Sequence, residues 1–143
     1  FLPNEIIASA LMVAALRGVV VEVIVPAHSN LPFMTWAMAA KFERLIEHGI
    51  KIYASPLPFD HSKLMVVDGT WVMVGSANWD QRSLRLNFEA NLECYASSLG
   101  GDLENYFLAR RTTATLLDVR RLKNTPLPAR LRNNFVGLFS PYL

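Results

Sequence analysis

The spacing of apolar residues changes along the chain, and each change marks an element. Behind Asn4 and Glu5, the residues Ile6, Ile7, Leu11 and Ala14 share one helical face. This predicts a helix running to Arg17, with Gly18 as its stop. Val19–Val25 is a nearly continuous β-branched run closed by Pro26, the pattern of a strand buried on both faces. The segment Ala27–Thr35, with His28, Ser29, Asn30 and Pro32, reads as a loop. A second helix over Trp36–Glu47 and a strand over Ile50–Tyr53 follow, with Gly49 between them. Helix–strand–helix–strand order implies parallel pairing through right-handed crossovers.

The pattern then shortens. Lys63–Val67 and Trp71–Val74 flank Asp68-Gly69, a tight hairpin signal. Asn87–Ala96 is rich in strand formers, and Asp102–Leu117 has a helical pattern. The expected fold is α/β, a mixed β-sheet flanked by helices, with a C-terminal helical tail. Residues 1–118 form the expected domain and residues 119–143 the tail. Beyond Pro126 and Pro128, the tail places Leu127, Leu131, Phe135, Leu138 and Phe139 on one helical face, with Arg130, Arg132 and Asn133 elsewhere. That arrangement suits either an interfacial helix or a helix docked on protein. Phe1-Leu2-Pro3 reads as the end of a buried strand, which suggests a piece of a longer protein.

Composition narrows the function classes. At 143 residues and 52% hydrophobic, the chain can bury a core and is not a disordered segment. No apolar run is long enough to span a bilayer; residues 6–25 come nearest and are interrupted by Arg17, Gly18 and Glu22. The lone Cys94 excludes an internal disulfide and reads as a buried, inert thiol, compatible with a reducing compartment. The net charge of +2 conceals an asymmetry. Residues 1–109 carry seven Lys/Arg against eleven Asp/Glu, whereas residues 110–143 carry seven against Asp118 alone. An acidic body argues against a nucleic-acid partner. A basic tail suits an anionic membrane surface or a solvated helix.

The chemistry gathers around the hairpin. Alternation along the strand puts His61 and Lys63 on one face, and the returning strand brings Ser76 and Asn78 back beside them. Gly75 allows the backbone to leave the strand close to a bound group. An imidazole can attack phosphorus or, once protonated, deliver a proton to a leaving oxygen. An ammonium, an amide and a hydroxyl can hold phosphate oxygens as their charge grows. Glu89, expected in the next strand, is the candidate to orient the histidine. Asp68 lies in the turn, away from His61, and reads as structural. Arg82 and Arg85 are candidate phosphate contacts that could equally pair with Asp80 or Glu89. His28 reads as a loop histidine and His48 as a helix-end cation. Phe33, Met34 and Trp36 read as core, with acyl-chain contact as the alternative, and Trp71 as structural. No metal site or cofactor is expected.

His61-x-Lys63-x4-Asp68-x6-Gly75-Ser76-x-Asn78 resembles the HKD motif of the phospholipase D superfamily, and Glu89 matches that family's downstream acidic position. Asn78-Trp79-Asp80-Gln81-Arg82-Ser83, Leu86-Asn87-Phe88-Glu89 and Phe1-Leu2-Pro3-Asn4-Glu5 resemble bacterial cardiolipin synthases, over about residues 1–115. The resemblance implies a metal-independent phosphatidyltransferase of phospholipid biosynthesis, associated with the bacterial inner membrane either peripherally or through segments outside this chain. Its substrate would be a phospholipid. Such enzymes use two motifs, one histidine forming a phosphohistidine and the other protonating the leaving alcohol. This segment is similar to the downstream half, which implies that His61 is the acid. Only one motif is present, so the resemblance also implies a partner: an N-terminal HKD half or a second copy of the chain. A hydrolase (lipase or homodimeric nuclease) and an inactive membrane-binding module are the alternatives.

Overall fold

The computed structural model describes residues 1–27, 32–58, 60–123 and 126–137. His28, Leu138 and Phe139, and the side chains of Phe33, Met34 and Arg130, lie outside what is described. Helix α1 spans Glu5–Leu16, and the Asn4 side chain caps it by accepting the Ile7 amide at 2.9 Å. Strand β1 (Glu22–Pro26) pairs in parallel with β2 (Lys51–Ser55), in register from Glu22↔Lys51 to Pro26↔Ser55, and helix α2 (Pro32–Glu47) is the crossover. This is the predicted βαβ unit. Its strand is shorter than expected, because Val19 and Val20 are exposed ahead of it and only Val25 of β1 is fully buried. β1 is an edge strand of its sheet among the described residues, paired with β2 on one side.

The hairpin follows the sequence closely. Strands β3 (Lys63–Val67) and β4 (Trp71–Gly75) pair antiparallel with Lys63 opposite Gly75. Asp68 and Gly69 both take left-handed φ values, 49° and 60°, and the Thr70 amide donates to the Val67 carbonyl at 3.1 Å. Asp68, Gly69 and Thr70 separate the paired Val67 and Trp71, and the left-handed Asp68-Gly69 pair gives the turn a twist that matches the strands it joins. After the short helix α3 (Gln81–Arg85), β5 (Asn91–Tyr95) adds to β4 antiparallel, with Gly75 opposite Asn91. Cys94 lies opposite Val72 and is partly rather than fully buried.

Helix α4 runs Ser97–Thr113, starting earlier and ending earlier than the pattern suggested. Thr115–Leu116 forms a strand, β6, antiparallel to β2. The described strands thus make two three-stranded sheets, β1-β2-β6 mixed and β3-β4-β5 antiparallel. Phe1 and Leu2 bridge them. The Phe1 ring packs against both Phe42 of α2 and Trp79 after β4, and the Leu2 amide donates to the Trp79 carbonyl at 2.7 Å. The core of the first sheet is Ala8, Met12, Val25, Phe42, Leu45, Ile50 and Ile52. Full burial of Ile50 and Ile52 contributes roughly 1.5–3 kcal/mol each.

Helices α5 (Val119–Lys123) and α6 (Leu127–Gly137) pack along α2. Lys123 pairs with Glu47, and the Arg132 guanidinium stacks 3.9 Å from the Trp36 ring centroid. Arg110 pairs with Asp60 and Arg111 with Glu22. Much of the charge asymmetry is therefore resolved internally, as cations of the basic C-terminal stretch meet carboxylates of the acidic body. No helix among the described residues is long and apolar enough to cross a membrane.

Candidate active site

The hairpin brings the predicted residues to one end. His61 precedes β3, Lys63 opens it, and Ser76 and Asn78 follow β4, whose last residue Gly75 is the ladder partner of Lys63. The Lys63 ammonium donates to the His61 carbonyl at 2.7 Å. Burial lowers its pKa, and the carboxylates of Glu89, Asp60 and Asp80 act in the opposite sense. Asp68 stands in the turn, at the far end of the strand.

Glu89 is not in a strand; it lies in the segment that leads into β5. There its carboxylate accepts from the Ser76 hydroxyl at 2.5 Å and from the Asn87 amide at 3.3 Å. The Ser76 hydroxyl in turn accepts the Ala90 amide at 3.1 Å, and the Ser76 amide donates to the Ala90 carbonyl at 3.0 Å. The Ser76 bond, then the Asn87 bond, hold the Glu89 pKa below the ordinary carboxylate value, so it stays an anion and an acceptor at neutral pH. Three segments distant in sequence are thus tied into one cluster with an anion at its edge and an ammonium beside it.

Asn78 is half-buried and donates to the Ser83 hydroxyl at 3.5 Å. Asp80 is spent on the fold: buried, it caps α3 by accepting the Ser83 amide at 2.7 Å. Arg82 and Arg85 sit on α3, exposed, and among the described residues neither forms an ion pair. His48 has a ring nitrogen 2.8 Å from the Arg44 carbonyl, a helix-end position remote in sequence from the hairpin. No group of three or more His, Cys, Asp or Glu side chains able to hold a metal occurs among the described residues.

The sequence reading missed Asp60. Its carboxylate accepts from the Ser62 amide (2.9 Å), the Ser62 hydroxyl (2.6 Å) and the Tyr106 hydroxyl (2.6 Å), and pairs with Arg110 at 3.1 Å. Asp60-x-Ser62 is the spacing of a local Asx turn and was the available signal; nothing local announces Tyr106 or Arg110. A cleft of about 350 Å³ opens where α4 meets the hairpin, lined by Ser62, Lys63, Leu64, Val74 and Gly75 of the hairpin and by Leu103 and Tyr106 of α4.

The family model described as "Cardiolipin synthase, PLD-like domain" matches residues 1–111. The chain belongs to this family. Over its whole length it is 37% identical to a cardiolipin synthase of Geobacillus thermodenitrificans (strain NG80-2) and spans 28% of that protein. Other cardiolipin synthases are similar over comparable shares, so the chain spans less than a third of the length of the curated relatives it matches. Among solved structures, a phosphatidylserine synthase from Haemophilus influenzae superposes with a TM-score of 0.76 at 16% identity, over 100% of this chain and 40% of that one. Nuc, a phospholipase D family member from Salmonella typhimurium, gives 0.69 at 22% identity, covering 80% and 75%. Both likenesses bear out the expected PLD-like fold.

Proposed function

We propose that residues 1–143 supply one half of a phosphatidyltransferase site of cardiolipin-synthase type. The observation that carries the proposal is the cluster at the hairpin's open end, with His61 and Lys63 beside Ser76 and Asn78 and the Glu89 anion bonded to Ser76. In this reading a histidine of the other half attacks the donor phosphorus. An N–P bond forms as the P–O bond to the donor's leaving glycerol breaks, and His61, as imidazolium, passes its proton to that oxygen. His61, now neutral, takes the proton of the acceptor hydroxyl as that oxygen attacks phosphorus and the N–P bond breaks. Lys63 and Asn78 hold the phosphate oxygens, Ser76 adds a donor, and Glu89 orients the imidazole. The other half covers β5, an edge strand of its sheet among the described residues, on which Leu92 and Tyr95 are exposed, as are Leu86 and Phe88 ahead of it.

The full-length protein incubated with acyl-labelled phosphatidylglycerol is expected to form cardiolipin and to release one glycerol for each cardiolipin made. Labelled phosphatidic acid as sole product would replace this reading with a hydrolase. Salt-sensitive cleavage of DNA would replace it with a nuclease.

A membrane-binding role has its own support. Leu127, Leu131 and Phe135 lie on the solvent side of α6, 61–68% exposed, while the helix packs along α2. Such a stripe suits insertion at a lipid interface. Replacing all three with Glu is expected to weaken binding to phosphatidylglycerol vesicles about tenfold or more, and unchanged co-sedimentation would exclude the stripe. Substitution is the cleaner test, because removing the tail would also uncover α2.

A further inference from the structure

The segment that carries His61 is a turn held by side-chain bonds rather than a strand. The Asp60 carboxylate and the Ser62 hydroxyl bond each other where Tyr106 of α4 reaches Asp60, and one residue on the Lys63 ammonium bonds the His61 carbonyl. Asp60 is the meeting point of donors from both directions. The amide and hydroxyl of Ser62 close a tight turn around His61, while Tyr106 and Arg110, one helical turn apart on α4, reach the outer oxygen. Arg110 also donates to the Tyr106 hydroxyl at 3.3 Å, and its guanidinium lies 5.6 Å from the centre of that ring, so the two α4 side chains hold each other. On the other side of the peptide, Lys63 fixes the His61 carbonyl. His61 stands in no strand or helix. Its backbone is held by these side-chain bonds on both flanks.

We infer that Asp60, Tyr106 and Arg110 form a clamp through which helix α4 sets the position of His61, and that they are positioning residues for phosphoryl transfer. A loop residue that delivers a proton must hold its place to a fraction of an ångström, since a displacement of about 1 Å can cost roughly 100-fold in rate. A carboxylate with four donors and no reacting partner suits that task. The Ser62 and Tyr106 bonds, chiefly, hold the Asp60 pKa down to about 2, so the clamp is charged and closed throughout the working pH range. The clamp depends on the proposed function only for its effect on rate; its effect on the loop can be read without turnover.

The test uses the full-length protein and the variants Asp60→Ala, Tyr106→Phe with Arg110→Gln, and Arg110→Lys. Hydrogen exchange is expected to speed at residues 60–63 in the first two, with the β3–β4 ladder unchanged and the melting temperature nearly so. In cardiolipin formation, kcat is expected to fall about 10- to 100-fold with KM within about threefold, and Arg110→Lys, which keeps the charge, should recover most of the loss. Faster exchange in a protein whose wild type makes no cardiolipin would leave the clamp standing and remove the functional reading. Unchanged exchange and kcat in the double variant would overturn the clamp. So would exchange that speeds equally across the whole hairpin.

Discussion

Replacing His61 with Asn is expected to lower kcat for phosphatidyl transfer by about 10²–10⁴-fold, or roughly 3–5 kcal/mol of transition-state stabilisation. The fold should not notice. His61 is exposed and precedes β3, and Asn keeps hydrogen-bonding groups near the same place. What is lost is a group able to give and take a proton. If His61 is the acid, the loss should depend on the leaving group. A phosphatidyl ester of p-nitrophenol, which departs without protonation, should still give a first-turnover burst in the variant, followed by slow acceptor attack. A missing burst would reassign His61 as the nucleophile. Wild-type cardiolipin formation in the variant would remove His61 from the site altogether.

The second large effect is on structure. A Cβ built on Gly75 would stand 2.1 Å from the Asn91 side-chain oxygen, 2.4 Å from the Ala90 carbonyl oxygen and 2.7 Å from the Asn91 Cα. The last two belong to the backbone of the entry into β5, which cannot rotate away. Gly75→Ala must therefore push β5 off β4 where Ser76 bonds to Ala90 and Glu89. The expected cost is about 1–3 kcal/mol or more, together with loss of the Ser76–Glu89 bond and of activity. Gly101→Ala, on α4 with nothing within 4 Å of its Cβ, is the control and should be neutral or stabilising by up to about 1 kcal/mol. Denaturant midpoints of the two variants side by side check this, and equal midpoints would mean that the close approach at Gly75 can relax.

What was legible in the sequence was what is local. The hairpin could be read because Asp68-Gly69 specifies its turn and the flanking strands specify its register, and His61, Lys63, Ser76 and Asn78 follow from that register alone. The βαβ unit was legible from the change of period around Gly49. Helix α3 was not, being five residues long and defined by the Asp80 cap rather than by periodicity. The start of α4 was hidden by Ser97-Ser98-Leu99-Gly100-Gly101, which looks like a loop. Gly100 sits in the helix because its missing side chain lets the backbone of the hairpin turn approach, and a Cβ there would meet the Gly69 carbonyl at 2.1 Å. The two-residue β6 has no pattern to show. Glu89 could be named as a candidate from the sequence, but its bond to Ser76 could not, and the Asp60 clamp joins residues that no window of sequence holds together.

Arg110 and Arg111 are neighbours, yet one reaches Asp60 beside the site and the other Glu22 on β1, at 3.1 Å and 2.6 Å. Tyr106 lies 46 residues beyond Asp60, and Arg111 lies 89 beyond Glu22. Chains leave the ribosome N-terminus first, at about 5–20 residues per second. The hairpin with all five candidate residues therefore emerges complete while the side chains that fix the His61 loop, and that tie it to the first sheet, are still inside the exit tunnel. During synthesis the His61 segment first holds only its local bonds, from Ser62 to Asp60 and from Lys63 to the His61 carbonyl. It becomes a fixed geometry only when the end of α4 arrives.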